Sequence, residues 1–185
     1  MVSWAAFHPE TRVYALPETV VPIPTTEPVK PGAQLDVDFE IMLYQGADVL
    51  GRKTAKLSQV LALGKPVVLN FWAGLCPVCR EELPELQRVS DEYSDRLLVI
   101  GVDIGPMIQL GNREDALALL REKEISYPAG ATGDVRVLFD LQVLGTPATF
   151  FLKPDGEIVR RWNGALSGHQ LAGYVQELLE AAGGA

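Results

Sequence analysis

The sequence contains few of the side chains that most often bind metal ions. Its 185 residues include only two cysteines and two histidines. Cys76 and Cys79 are separated by two residues, whereas His8 and His169 lie near opposite ends of the chain. The cysteine pair therefore provides only half of the four ligands that a structural zinc site needs. We expect no metal site, and because no nucleotide or flavin motif is visible, we expect no cofactor.

Basic residues are also in the minority. Lysine and arginine number 16 against 24 aspartate and glutamate residues, which gives a formal net charge of −8. Proteins that bind nucleic acid usually carry a basic face, and anionic membranes attract basic segments. The charge balance therefore argues against nucleic acid and against an anionic membrane surface as partners.

The first 30 residues lack apolar periodicity and differ from the rest of the chain. They show neither a basic start nor an apolar core long enough for a signal peptide. Proline at high density prevents regular helix and indicates an extended linker. The prolines in this part of the chain are Pro9, Pro17, Pro22, Pro24 and Pro28, and Pro31 follows directly after it. We predict a tail or linker over residues 1–34 and one domain over residues 35–185.

The two cysteines lie where a buried strand gives way to a helix. Residues 67–72 form an apolar run rich in β-branched and aromatic side chains, which indicates a strand. Residues 80–93 carry apolar side chains at helical spacing. Unpaired N–H groups and the dipole at a helix start lower the pKa of a nearby cysteine thiol. We predict that Cys76 is the attacking thiolate and that Cys79, one turn later, resolves the mixed disulfide.

Patterns on either side of this unit predict further elements of an α/β domain. Residues 37–42 alternate with period two and residues 53–57 supply a returning strand, which predicts a β-hairpin. Residues 97–102 form a second buried strand, so a parallel βαβ unit is expected. Asn112 is a predicted cap for a helix over residues 113–123.

The C-terminal third of the chain has its own signals. Residues 134–141 predict a short helix, and residues 149–153 and 157–162 predict a hairpin across a Pro-Asp-Gly turn. Ser167 and Gln170 form a predicted capping box that starts the last helix.

Two motifs carry a resemblance to a known family. The stretch FWAGLCPVCREELPEL, residues 71–86, and the stretch GTPATFFL, residues 145–152, are similar to the thioredoxin superfamily and, within it, to the TlpA/ResA-like thiol-disulfide oxidoreductases. The resemblance spans residues 35–179. It implies an α/β thioredoxin-like fold: a central mixed sheet flanked by helices, with an N-terminal β-hairpin and a central insertion. It also implies that Pro147 follows a cis peptide bond and lies against the cysteines.

The sequence departs from thioredoxin at two places. Asn70 stands where thioredoxin has a buried aspartate, and a neutral amide cannot take a proton from the resolving cysteine. Glu82 matches an active-site glutamate of the ResA-like proteins, although a solvated glutamate in a charged run is the alternative. Pro77 and Val78 stand where thioredoxin has Gly-Pro. Pro77 removes one possible donor to the Cys76 thiolate, which favours a more reducing pair.

The resemblance implies a protein thiol-disulfide oxidoreductase. Its catalytic residues would be Cys76, Cys79 and Glu82, and Trp72, Pro77, Thr146 and Pro147 would line the substrate-binding surface. The backbone at Thr146 would hydrogen-bond an extended partner strand. We expect protein thiols or disulfides as partners, an upstream redox partner that resets the pair, and a monomer. Exported relatives often keep apocytochrome cysteines reduced, which the resemblance allows without selecting.

Two other functions on the same fold remain open, as does the compartment. A copper-binding chaperone would need wider cysteine spacing and a histidine near the site. A thiol peroxidase would need a threonine three residues before its reactive cysteine, where this chain has Ala73. We expect an extracytoplasmic protein tethered to a membrane through a segment outside this sequence, with a native cytoplasmic start as the alternative.

Overall fold

A computed structural model describes residues 30–143 and 145–183. The predicted proline-rich tail therefore lies almost entirely outside the described residues, as does His8. The helices and strands that the structure describes are, in chain order, β1 Glu40–Gln45, α1 Ala47–Leu50, β2 Thr54–Lys56, α2 Leu57–Leu61, β3 Val67–Trp72, α3 Pro77–Glu92, β4 Leu98–Asp103, α4 Gly105–Ile108, α5 Arg113–Glu122, β5 Ala129–Ala131, α6 Arg136–Phe139, β6 Ala148–Leu152, β7 Ile158–Asn163 and α7 Gly168–Ala181.

The strands form one mixed sheet in the order β2-β1-β5-β4-β3-β6-β7. β3 runs parallel to β4, and β4 runs parallel to β5. The other neighbouring pairs are antiparallel. The predicted α/β architecture is confirmed, including the parallel β3-α3-β4 unit that places the cysteines at the carboxyl end of a central strand.

The central strand β3 is wholly buried because both faces of the sheet are covered. Val68 and Trp72 pack with α3, α5 and α7 in one apolar cluster. Val67, Leu69 and Phe71 pack on the opposite face with α2, α6 and the N-terminal hairpin. This two-sided burial explains why β3 reads as a continuous apolar run rather than an alternating one.

The helix starts follow the predicted capping signals. The Asn112 side chain accepts hydrogen bonds from the N–H groups of Glu114 and Asp115 at the start of α5. The Ser167 and Gln170 side chains form the expected capping box at the start of α7. Each side-chain oxygen satisfies a backbone donor that has no partner inside its helix. Both predicted helices are therefore confirmed.

Two features of the sheet differ from the pattern in the sequence. The N-terminal hairpin has a helical connection, α1, and β1 begins at Glu40 rather than at Val37. β5 lies between β1 and β4, and no pattern in the sequence predicted it. A Cβ at Gly130 would come within 2.3 Å of the Met42 carbonyl oxygen, so glycine permits the close approach of β5 to β1.

The helices of the described ranges are all too short or too polar to cross a bilayer.

Candidate active site

The two cysteines occupy the first turn of α3. Cys76 is the N-cap residue, and its Sγ accepts a hydrogen bond from the Cys79 N–H at 3.1 Å. The two side chains form a disulfide, with Cα atoms 5.2 Å apart. Cys76 retains 3% of its surface exposed, whereas Cys79 has none. In the reduced protein the same N–H group and the helix dipole would favour a thiolate at Cys76.

Exposed apolar side chains surround Cys76 and form what we call the apolar rim: Leu75, Pro77 and Val78. Leu75 is 55% exposed and Val78 is 47% exposed, and Pro77 is also exposed. The Leu75 N–H donates to the Leu110 carbonyl oxygen at 3.1 Å, which fixes this loop to the segment after α4. The rim offers apolar contact area directly beside the reactive sulfur.

A second segment, residues 145–147, reaches the disulfide from the other side. The Thr146 carbonyl oxygen lies 3.7 Å from the Cys76 Sγ, and Thr146 is half-buried. The peptide bond between Thr146 and Pro147 is cis, and Pro147 is buried. The Pro147 carbonyl oxygen accepts a hydrogen bond from the Gly164 N–H at 2.8 Å. The fold thus brings a segment from 70 residues away to the reactive sulfur.

Glu82 is buried rather than solvated. Its side chain lies on the inner face of α3, 1% exposed. One carboxylate oxygen accepts from the Leu166 N–H at 2.9 Å and the other from Asn70 Nδ2 at 3.0 Å. Burial raises the pKa of Glu82 to about 7, and the two hydrogen bonds oppose that rise. The carboxyl can therefore hold or release a proton at neutral pH.

Two other groups of this buried network, Thr149 and Leu166, were absent from the sequence prediction. Asn70 Nδ2 also donates to the Thr149 Oγ1 at 3.0 Å, and the two residues are directly paired between β3 and β6. Because strand residues alternate between the two faces of the sheet, Asn70 is expected on the face covered by α3. The Leu166 donor could not be found in this way, since it lies 84 residues from Glu82. Only the packing of α7 against α3 brings that donor into reach.

Trp72 lies below the surface of the domain. Its side chain is fully buried and lies over Gly101. A Cβ added at Gly101 would lie 2.9 Å from the indole Nε1. The indole has no exposed surface and packs inside the domain, and its part in substrate binding stays a prediction.

Within the described ranges, no group of three or more histidine, cysteine and acidic side chains is arranged to hold a metal ion. His169 is exposed in the first turn of α7.

A family model and several characterised proteins match the chain. The model of the AhpC/TSA family covers residues 37–161. A thiol-disulfide oxidoreductase ResA from Oceanobacillus iheyensis is 30% identical over 145 residues, which are 77% of this chain and 71% of that protein. A thiol:disulfide interchange protein DsbE from Escherichia coli is 34% identical over 111 residues, which are 60% of this chain and 56% of that protein.

The fold also matches solved structures. The exposed lipoprotein thioredoxin Etrx1 from Streptococcus pneumoniae superposes with a TM-score of 0.59 and 24% sequence identity. The match covers 76% of this chain and 99% of that one. At this identity the match supports the thioredoxin-like fold, in agreement with the sheet described above.

Proposed function

The chain belongs to the AhpC/TSA family, and we propose that it serves there as a thiol-disulfide oxidoreductase that reduces disulfides of exported protein partners. The oxidoreductase class agrees with the ResA and DsbE relatives and with the disulfide between Cys76 and Cys79. The single observation that carries the proposal is the place of that disulfide, at the start of α3 and facing the Thr146 carbonyl oxygen.

The exchange proceeds in two displacements. In the reduced protein the Cys76 thiolate attacks a partner disulfide, a Cys76–partner disulfide forms, and the partner's other sulfur leaves as a thiolate. Cys79 then loses its proton and attacks the Cys76 sulfur, which restores the internal disulfide and releases the reduced partner. Two electrons pass from the cysteine pair to the partner. An upstream dithiol reduces the pair again by the same steps in reverse.

Glu82 is proposed to accept the proton that Cys79 loses. It follows Cys79 by three residues on the same helix, so the two side chains share a face. A general base works best when its pKa lies near the working pH, and the Glu82 pKa of about 7 meets that condition. Asn70 and Leu166 hold the carboxylate in place on the side away from solvent.

The partner is proposed to bind as an extended segment across Cys76. The Thr146 backbone would pair with it, Pro147 would shape the loop beneath it, and the apolar rim would contact side chains flanking its cysteine. The exposed surfaces of Leu75 and Val78 support this role. Cysteine pairs of exported proteins, including apocytochromes c, are the substrate class that we propose.

The place of action is proposed to be outside the cytoplasm, with a membrane tether. An exposed lipoprotein among the structural neighbours supports such a location.

A synthetic peptide tests the mechanism. Its single cysteine carries thionitrobenzoate as a mixed disulfide, and we call it the peptide probe. The Cys79→Ser variant should keep the peptide on Cys76 and release thionitrobenzoate, whereas the wild type should also release the peptide with a free thiol. The Cys76→Ser variant is the matched control and should form no stable adduct. Equal trapping on Cys76 and Cys79 would overturn the assigned roles.

A further inference from the structure

Two adjacent arginines on β7, Arg160 and Arg161, lie on opposite faces of the sheet and bind different partners. Arg160 pairs with Phe151 across the β6-β7 hairpin and faces α7. Its guanidinium donates to both carboxylate oxygens of Glu177, at 2.7 and 3.0 Å, and lies 4.4 Å from the centre of the Tyr174 ring. Arg160 thus forms a bidentate ion pair with Glu177, and this pair joins α7 to the sheet.

Arg161 points to the other face and binds neutral oxygens. It is paired with Phe150, and its guanidinium lies 5.4 Å from the centre of that ring. No carboxylate in the described ranges forms an ion pair with it. Instead it donates to the Gln142 backbone carbonyl oxygen, and to Gln142 Oε1 and Asn163 Oδ1 at 3.3 Å each. Burial lowers the pKa of Arg161.

A half-buried guanidinium without a carboxylate carries a desolvation cost, which its hydrogen bonds to neutral oxygens must offset. The residue that it holds is unusual, because Gln142 has a left-handed backbone with a φ of 52°. A non-glycine residue in this region is strained unless its surroundings fix it. The Arg161 fork binds the carbonyl group of that same residue.

Gln142 and Pro147 both lie in the connection between α6 and β6, which we call the loop. The far end of the loop is held by the Gly164 N–H, which donates to the Pro147 carbonyl oxygen at 2.8 Å. Arg161 and Gly164 lie in β7 and just after it, so one strand holds both ends of the loop. Between them lies Thr146, with its carbonyl oxygen 3.7 Å from the Cys76 Sγ.

We propose that Arg161 is a positioning residue for partner binding: it holds the loop at Gln142 so that the Thr146 backbone is presented to an extended partner. The inference rests on the proposed function, because it concerns how that site recognises a protein. Arg161 does not touch the reacting sulfurs. Its effect should therefore depend on whether the disulfide under attack is part of a peptide chain.

Two probes with the same leaving group separate binding from chemistry. In a Cys79→Ser background, Cys76 attacks either the peptide probe or Ellman's reagent, and each reaction releases thionitrobenzoate. The readout is the ratio of the two second-order rate constants. Arg161→Met should lower that ratio about threefold to tenfold, the value of one backbone hydrogen bond to the partner. Arg161→Lys should lower it in the same direction, because lysine lacks the planar fork.

Arg160→Met is the matched control, since it removes a neighbouring arginine that holds α7 and not the loop. Its ratio should equal that of the parent. An unchanged ratio in both Arg161 variants, or an equal fall in Arg160→Met, would overturn the role of Arg161. Should Arg161→Met fail to fold, Arg161→Lys decides alone. A Cys79→Ser parent that reacts with neither probe would instead contradict the proposed function.

Discussion

Asn70 Nδ2 donates a hydrogen bond to Glu82 Oε2 at 3.0 Å, and this contact joins the central strand β3 to the cysteine helix α3. Both side chains are almost completely buried. The amide thus stands where thioredoxin has its acid, and it binds a carboxylate supplied by the helix. In this chain the buried carboxylate belongs to the helix, and the strand residue holds it through this hydrogen bond.

The first prediction concerns the release step. Glu82→Gln keeps the size of the side chain but cannot accept a proton, so Cys79 should attack the mixed disulfide more slowly. We expect release of the peptide from Cys76 to slow by about a hundredfold at neutral pH. Rapid mixing of the reduced protein with the peptide probe measures this step. The exposed neighbour supplies the control: Glu81→Gln should release the peptide at the wild-type rate, and equal slowing in both variants would refute the role of Glu82.

The second prediction concerns stability in the oxidised protein, where the cysteines do not titrate. Burial raises the Glu82 pKa from 4.5 to about 7, so between these values the folded protein holds a proton that the unfolded chain has lost. The free energy of unfolding should therefore fall as pH rises through this window, by on the order of 3 kcal/mol, and then level off. Urea unfolding of wild type and Glu82→Gln checks this. A difference between the two proteins that does not change with pH would contradict it.

The third prediction concerns a second carboxyl at the strand position. Asn70→Asp would place an acid within hydrogen-bond distance of Glu82, and two carboxylates so close cannot both ionise cheaply. One proton should be shared between them and held to higher pH than in the wild type. We expect Asn70→Asp to be near wild-type stability in acid and less stable by about 2 kcal/mol or more above neutrality. A loss of the same size at every pH, measured by urea unfolding, would indicate a packing defect instead.

The fourth prediction concerns the loop before Cys76. A Cβ at Gly74 would lie 2.5 Å from the Ala116 backbone nitrogen, so Gly74→Ala must push the cysteine loop away from α5. We expect a loss of about 1–3 kcal/mol in the free energy of unfolding and slower attack by Cys76. At Gly133 an added Cβ meets nothing within 4 Å. Gly133→Ala should therefore be neutral or slightly stabilising, and an equal loss in both variants would contradict the contact with α5.

The local signals in the sequence were sufficient for most of the fold. The continuous run of β3, the caps at Asn112 and Ser167 and the hairpin of β6 and β7 are all set by neighbours in sequence. β5 could not be found in this way. Its three residues, Ala129–Ala131, are small, and they form a strand because β1 and β4 pair with them from both sides.

In the site, too, some features follow from neighbours in sequence and others depend on distant contacts. The position of Cys76 at a helix start follows from the strand-to-helix pattern, and the structure places it there. The surroundings of Glu82 depend on Leu166, which is distant in sequence. The carbonyl groups of Gln142 and Pro147 likewise depend on distant donors, Arg161 and Gly164. The burial of Trp72 could not be predicted from local sequence either. Spacing puts Trp72 near the cysteines, whereas packing over Gly101 buries its side chain.

The most direct test of the central claim is a redox titration of the folded wild type in glutathione buffers and, for lower potentials, in dithiothreitol buffers, with acid quenching, thiol alkylation and intact mass. We predict one transition between an unlabelled disulfide form and a doubly labelled dithiol form, with the same midpoint from either direction. Glutathione bound to Cys76 should not accumulate, because Cys79 displaces it. A disulfide that stays intact at every buffer ratio, or a Cys76–glutathione adduct as the main species, would contradict the claim.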